Sequence, residues 1–266
     1  MFPQLLNSIN EDEVFELIED DSYLAQEKKD GQRRMAIVDE SVIGLNKKGE
    51  KVQLPDLIIL SLVNLTNEGC IIDGEIIGEQ LFLFDVLSSY GKDLTNLSYV
   101  ERLQLMGHLS SSFGENISIV KTAYTRAEKL KMYNDLKARN AEGIVFKHKS
   151  SKYVAGRPNS GGAQLKFKFY KEASFIVKDF TKGKRSVGLE LIDADGNRVH
   201  MGKCTIPPNK NVPEIGSVVE VRYLYAYRGG CIFQPNYKEQ RNDVDVEECL
   251  MTQIIYKAEI ETDEEE

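Results

Sequence analysis

Lys28-Lys29-Asp30-Gly31-Gln32-Arg33 joins two stretches patterned as β-strands, Tyr23 to Glu27 and Arg34 to Val38. In this hexamer the glycine permits a tight backbone approach, Asp30 can orient the turn, and Arg33 offers a planar, multi-donor grip for a phosphate or ribose. A lysine amine near its usual pKa of ~10.4 is neutral in only roughly one molecule in a few thousand at pH 7. A nucleophilic Lys28 therefore needs neighbours that destabilise its proton, and nearby cations do that. A charged surface turn would carry the same six residues, so the hexamer gains meaning only from the residues further along the chain.

Downstream, Asp73-Gly74-Glu75 lies inside an apolar strand pattern, where a carboxylate is costly to bury unless a ribose, a metal or another partner meets it. Leu81-Phe82-Leu83-Phe84-Asp85 alternates so that Phe82 and Phe84 share a strand face and offer a flat surface for a base. Glu142 opens a second apolar strand, Glu142-Gly143-Ile144-Val145-Phe146-Lys147. Lys166 and Lys168 alternate on a third, and two like charges on one face call for an anion; a polyphosphate supplies it.

Other local signals set the architecture. Asn10 caps a short amphipathic helix over Glu11 to Asp20, and the capping boxes Ser98/Glu101 and Thr125/Glu128 announce two more helices that cover the sheets. Cys70 to Ile77 and Gln80 to Val86 bracket Gly78-Glu79 as a hairpin, and strand character returns at Gly143 to Lys147 and Gln164 to Phe169. The first part reads as an α+β domain of mainly antiparallel sheets, residues 1–170. Beyond Tyr170, short β segments separated by Lys182-Gly183, Asp195-Gly196, Pro207-Pro208 and Gly229-Gly230 suit a small barrel of the oligonucleotide-binding (OB) kind over 171–258, followed by an acidic tail, 259–266.

The formal charge of the 266 residues is -8, from 34 bases and 42 acids, yet thirteen acids crowd into Glu11 to Asp21 and Glu259 to Glu266. Without those thirteen, 29 acids face 34 bases, so the body is basic by about five charges and a nucleic-acid partner is not excluded. Four scattered cysteines and three isolated histidines suggest neither a zinc site nor a disulfide framework. With no signal-peptide pattern at Met1-Phe2-Pro3-Gln4 and no membrane-length apolar run, the expectation is a soluble, cytoplasmic protein, in the host cytoplasm if the source is viral.

Taken in order, Lys28-x-Asp30-Gly31-x-Arg33, Asp73-Gly74-Glu75, Phe82-Leu83-Phe84-Asp85, Glu142 to Lys147 and Leu165-Lys166-Phe167-Lys168 resemble the successive motifs of ATP-dependent DNA ligases, within the covalent nucleotidyltransferase superfamily. Tyr99 to Arg102 and Tyr153 to Arg157 resemble intervening segments, and the likeness runs from about Leu24 to Asp243. The resemblance implies a nucleotidyltransferase (adenylation) domain and an OB-fold domain in a minimal, viral or bacteriophage-like ligase. Its cofactors would be ATP and Mg2+. Its partner would be nicked duplex DNA, and the protein would be a monomer with no membrane association.

By that resemblance Lys28 would attack the α-phosphate of ATP and carry AMP, which would pass to a 5'-phosphate at a nick before a 3'-hydroxyl displaces it. Glu27 would help recognise adenine through its backbone, Phe84 would stack on the base, and Arg33 and Glu75 would hold ribose or phosphates. Glu142, with Glu75, would assist metal binding, and Arg157 would contact the nucleotide. Lys166 and Lys168 would stabilise the phosphates and weaken the proton affinity of Lys28. Asp30 completes the catalytic set, Arg241 would orient the pyrophosphate, and Lys182, Lys184 and Arg185 would meet DNA phosphates.

Two departures stand out. Asn46-Lys47-Lys48-Gly49 occupies the place of a Ser-Arg-x-Gly segment, leaving Lys47 as a point charge for the 5'-phosphate, and Val244 stands where a lysine is common. An RNA ligase with the same lysine chemistry is the nearest rival, and a catalytically silent nucleic-acid-binding homologue is another. A capping guanylyltransferase ranks lower, and an NAD-dependent ligase would need an extra N-terminal domain before Lys28.

Overall fold

Asn10 opens the first helix, α1 (Glu11–Glu19), through a reciprocal cap in which its side chain accepts from the Glu13 amide while the Glu13 carboxylate accepts from the Asn10 amide. The computed structural model describes residues 2–66 and 69–257, so the expected acidic tail and residue 258 lie outside the described residues. The chain divides between Lys168 and Phe169 into two compact units.

The first unit holds the strands β1 (Asn7–Ser8), β2 (Tyr23–Lys28), β3 (Gln32–Val38), β4 (Val42–Leu45), β5 (Lys51–Val52) and β6 (Cys70–Ile77). It continues with β7 (Gln80–Ser89), β8 (Lys92–Asp93), β9 (Ile117–Ile119), β10 (Thr122–Ala123), β11 (Gly143–His148) and β12 (Gln164–Lys168). Its other helices are α2 (Asp56–Leu62), α3 (Tyr99–Leu109) and α4 (Arg126–Ala138). Both expected capping boxes are formed, at Ser98/Glu101 and Thr125/Glu128.

One sheet runs β1-β12-β11-β2-β10 and the other β5-β4-β3-β6-β7-β8, with β9 added parallel to β7. The chain crosses from the first sheet to the second at residues 29–31, between β2 and β3. Lys28 pairs with Gly143, so β2 runs one residue beyond the expected Glu27 and the lysine closes a strand rather than sitting in a turn. Gln32 and Arg33 pair with Ile76 and Glu75, so β3 likewise starts two residues before Arg34. A side chain at Gly31 would place its Cβ 2.2 Å from the Ile76 carbonyl oxygen, which is why the crossing needs glycine.

The main core of this unit gathers Ile72, Leu81, Leu83 and Val86 of the second sheet against Ile58 and Leu62 of α2 and Tyr99, Leu103 and Met106 of α3. Beside it lies a buried ion pair. Arg102 donates from Nε and Nη2 to the two Asp85 oxygens at 2.7 and 3.0 Å, and from Nη1 to the Leu97 and Ser151 carbonyls. On the far side α4 packs on α1, and Lys129 donates to the Leu17 and Asp20 carbonyls, satisfying oxygens at the end of α1.

The second unit is a five-stranded antiparallel sheet in the order β15-β14-β13-β16-β17, built from β13 (Lys171–Phe180), β14 (Ser186–Ile192), β15 (Arg198–Thr205), β16 (Val218–Tyr223) and β17 (Asn236–Arg241). All four expected turn pairs fall between its strands. Its own core includes Phe175, Leu189, Val219, Val221 and Tyr223, and Val244 packs against that core, a setting that favours valine over the lysine of the resemblance. The four cysteines are free thiols.

Replacing Arg102 with leucine leaves Asp85 buried and unpaired, with an expected cost of about 3–5 kcal/mol. The double variant Asp85→Asn, Arg102→Leu should recover much of that loss in chemical denaturation; equal instability of both would show that the pair does not hold this part of the fold.

Candidate active site

Pairing registers bring the separated motifs together. β11 pairs antiparallel with both β2 and β12, so Gly143 lies opposite Lys28 on one side and Lys168 on the other. The central residue must be small, because a Cβ at position 143 would fall 2.0 Å from the Phe167 carbonyl oxygen. Glu142, immediately before it, reaches both neighbours: one carboxylate oxygen lies 2.5 Å from the Lys28 Nζ and the other 2.7 Å from the Lys168 Nζ. Residues far apart in the chain thus meet in one three-residue ion cluster.

These groups border a cavity of about 600 Å³ in the first unit. Of the residues singled out from the sequence, Glu27, Lys28, Arg33, Lys47, Glu75, Phe84, Arg157, Lys166 and Lys168 line it. Glu142 sits behind the two lysines, and Asp30 lies in the crossing between β2 and β3 rather than on the wall. Alternation along β2, β11 and β12 sets three rows on one sheet face: Leu24, Lys147 and Gln164, then Gln26, Val145 and Lys166, then Lys28, Gly143 and Lys168. Lys28, Lys166 and Lys168 thus gather toward the Gly143 end of that face, where an anion fits.

Electrostatics follow from that crowding. Burial, with repulsion from Arg157, Lys28 and Lys168, brings the Lys166 amine down to about 8. Burial also lifts Glu75 to about 7; the Glu142 carboxylate adds to the rise, while Lys28 and Arg33 work against it. Glu75 on the wall and Glu142 behind it are carboxyl groups of the kind that hold a hard divalent cation, which binds through one or two carboxylates and the phosphates of a substrate. Among the described residues no group of three or more His, Cys, Asp or Glu side chains could hold a metal unaided.

Several partners go beyond the sequence expectations. Arg33 is committed to Asp73, donating from Nε at 3.0 Å and Nη2 at 2.6 Å, and gives Nη1 to the Gln4 carbonyl. Glu27 lines the cavity, and its side chain is held between Lys29 at 2.8 Å and Arg139 at 2.9 Å. Arg157 donates to the Leu6 carbonyl at 2.7 Å. The expected common face of Phe82 and Phe84 is broken by a bulge, since Asp73 pairs with Asp85 and Gly74 with Leu83, leaving Phe84 as the extra residue. Phe84 lines the cavity, whereas the Phe82 ring lies beneath the Lys29 ammonium at 4.4 Å.

Lys47 and Lys48 sit at the tip of the β4–β5 hairpin, where the Asn46 side chain accepts from the Lys48 amide and Gly49 takes a positive φ of 79°. Both lysines line the cavity, and Lys48, adjacent in the chain to Lys47, is a wall residue that the sequence pattern does not single out. Lys147 is another; it lies on the wall at the end of the Glu142 motif.

The remaining candidates lie in the second unit. Arg241 donates to both Asp243 oxygens at 2.8 Å and to Glu220 at 3.1 Å. Arg185 is engaged by the Ile206, Pro207 and Lys210 carbonyls, while Lys182 and Lys184 are exposed in the turn before β14.

The low Lys166 value carries a sign for stability. Between about 8 and the ordinary 10.5 the unfolded chain holds this proton and the folded chain does not, so folding is favoured as pH rises through that window. Wild type should gain about 2 kcal/mol over Lys166→Met across it, after allowance for solvent screening, as read by urea midpoints. Parallel pH curves for the two proteins would contradict this crowding of cations.

Residues 77–168 match the family model described as ATP dependent DNA ligase domain. A probable DNA ligase of Dictyoglomus thermophilum is 36% identical over 89 residues, and that of Dictyoglomus turgidum is 35% identical over the same length. Those alignments take in 33% of this chain and 15% of each relative, so the chain spans only a small part of the curated relatives it matches. Among solved structures, a Lig E DNA ligase described as DNA binding with a minimal scaffold aligns with a TM-score of 0.69 at 17% identity, over 91% of this chain and 99% of its own. A mycobacterial DNA ligase D complexed with ATP and MES aligns with a TM-score of 0.53 at 16% identity, over 94% and 98%. Among the described residues no helix is long and apolar enough to cross a membrane. The chain is therefore similar to the ATP dependent DNA ligase domain over residues 77–168, and to a solved DNA ligase in fold over 91% of its length.

Proposed function

We propose that this chain is an ATP-dependent DNA ligase that seals 5'-phosphate/3'-hydroxyl nicks in duplex DNA through a lysyl-AMP and then a DNA-adenylate. The observation that carries the reading is Lys28 at a strand end on a cavity wall, with Glu142 at 2.5 Å and Lys166 and Lys168 on the same sheet face. The Lys28 amine attacks the α-phosphorus, a P–N bond forms, the bond to the bridging oxygen breaks, and pyrophosphate leaves. The amine must be neutral to attack, and Glu142 is the acceptor placed on its proton.

Phe84 supplies the stacking surface for adenine, Glu27 its backbone contact, and Arg33, Glu75 and Arg157 the surroundings of ribose and phosphate. Asp30 orients the crossing loop. Lys166 and Lys168 stabilise charge on the phosphates as it shifts. Glu75 and Glu142 are the carboxylates that would hold Mg2+ on the nucleotide, where it neutralises phosphate charge. Lys47, with Lys48 beside it, meets the 5'-phosphate of the nick.

Residues 1–170 form the nucleotidyltransferase domain in this reading, and the sheet over 171–258 is the OB-fold barrel. The barrel contributes Arg241 toward the pyrophosphate and Lys182, Lys184 and Arg185 toward DNA phosphates. Its five antiparallel strands and the solved ligase folds support that assignment.

Incubation with α-labelled ATP and magnesium should leave one AMP on the wild-type chain, and Lys28→Ala should carry none. A nicked-DNA substrate should then be joined faster than the same nick in RNA or in a hybrid duplex. A wild type that never becomes labelled, or an adduct that persists in Lys28→Ala, would sink the enzyme reading, and preferential joining of RNA would move it to the RNA ligases.

A further inference from the structure

Lys147 is buried in the cavity wall, 3% exposed, and no carboxylate among the described residues is its direct hydrogen-bond partner. Its Nζ donates to the Phe84 main-chain carbonyl at 3.0 Å and to the Tyr99 hydroxyl at 3.1 Å. Tyr99 in turn donates to the same Phe84 carbonyl at 2.8 Å. Three groups thus close a ring of hydrogen bonds that includes one carbonyl, and that carbonyl belongs to Phe84, the extra residue between Leu83 and Asp85 in β7. The ammonium also lies 4.6 Å from the centre of the Phe84 ring and 4.4 Å from that of Tyr99.

A bulge leaves its extra residue outside the regular ladder, so something other than strand pairing must fix its orientation. We propose that Lys147 is a positioning residue for nucleotide binding: by holding the Phe84 carbonyl at the bulge, it sets the ring against which a base stacks. The inference rests on the nucleotide-site reading of the cavity.

Surrounding charges give this clamp a distinctive signature. Arg33 from β3, Asp73 from β6, Asp85 from β7 and Arg102 from α3 are the charged groups that act on Lys147, and the Tyr99 hydroxyl from α3 is raised well above its usual range by burial. The two aspartates are each taken by an arginine, so a protonated Lys147 makes three cations against two anions in a buried layer. Burial accordingly brings Lys147 down to about 7, where the charge-assisted bond to Phe84 weakens as pH rises.

The test compares wild type, Lys147→Met, Lys147→Arg and Tyr99→Phe, with ATP affinity measured by calorimetry without magnesium and lysyl-AMP formation measured at saturating ATP. At about pH 6.5 Lys147→Met should bind ATP about fivefold more weakly, with a saturating rate within about threefold of wild type. The wild-type advantage should shrink toward about twofold near pH 8.5, and ionisation of ATP itself cancels in the ratio. Tyr99→Phe should bind more weakly yet keep the pH dependence, and Lys147→Arg, which does not titrate here, should lose it. A wild-type to Lys147→Met ratio of one, or a ratio constant with pH, would overturn the proposal. So would a fall confined to the saturating rate. Should Lys147→Met fail to fold, Lys147→Arg carries the comparison alone: a pH profile identical to wild type would refute the clamp. Absence of ATP binding by wild type at any pH would instead defeat the nucleotide-site reading itself.

Discussion

Antiparallel pairing of β11 with β2 and β12 at once is the constraint on which the site depends. A strand pair fixes which residues lie abreast, and a shift of one position would turn every side chain to the opposite face. Here the register sets Lys28, Gly143 and Lys168 in line and leaves Glu142 at the mouth of the central strand, within reach of both amines. The glycine is part of the device, since any side chain would push β12 away and open the cluster. Chemistry and backbone geometry are inseparable at this point.

A second level of support comes from buried charge. Asp73 holds Arg33 and Asp85 holds Arg102, both through two-point contacts that fix orientation as well as distance. Such pairs add little net stability compared with apolar packing, but losing one partner is costly, which makes the arrangement stiff. Stiffness is useful where an arginine must stay on a cavity wall that it does not reach from a rigid backbone alone.

Much of this is legible in the sequence because the informative residues recur in a fixed order and carry local signatures. The Asn10 cap announces α1, the two capping boxes announce α3 and α4, and the paired turn residues mark the spacing of β13 to β17. Glu142, Lys166 and Lys168 stand out because charges in or beside apolar strand patterns demand an explanation, and Lys28 because it opens the charged link between two strands. The hidden features depend on distant partners. Nothing near Arg33 in sequence names Asp73, forty residues on, as its mate. The alternation of Leu81 to Asp85 looks regular, so the bulge at Phe84 is invisible until β6 is laid beside it. Lys147 ends a motif that reads simply as an apolar strand, and its burial against Tyr99 of α3 and the Phe84 carbonyl of β7 emerges only from the fold.

The double grip on Glu142 bears on the lysyl-AMP state proposed for Lys28. A lysine bonded to phosphorus no longer offers an ammonium, and a carboxylate with a side chain only 4% exposed would then be stranded in a poorly hydrated place. Lys168, 2.7 Å from the other oxygen, stays behind as a counter-ion. In the lysyl-AMP form proposed above, Lys168 would thus spare Glu142 an unpaired buried charge.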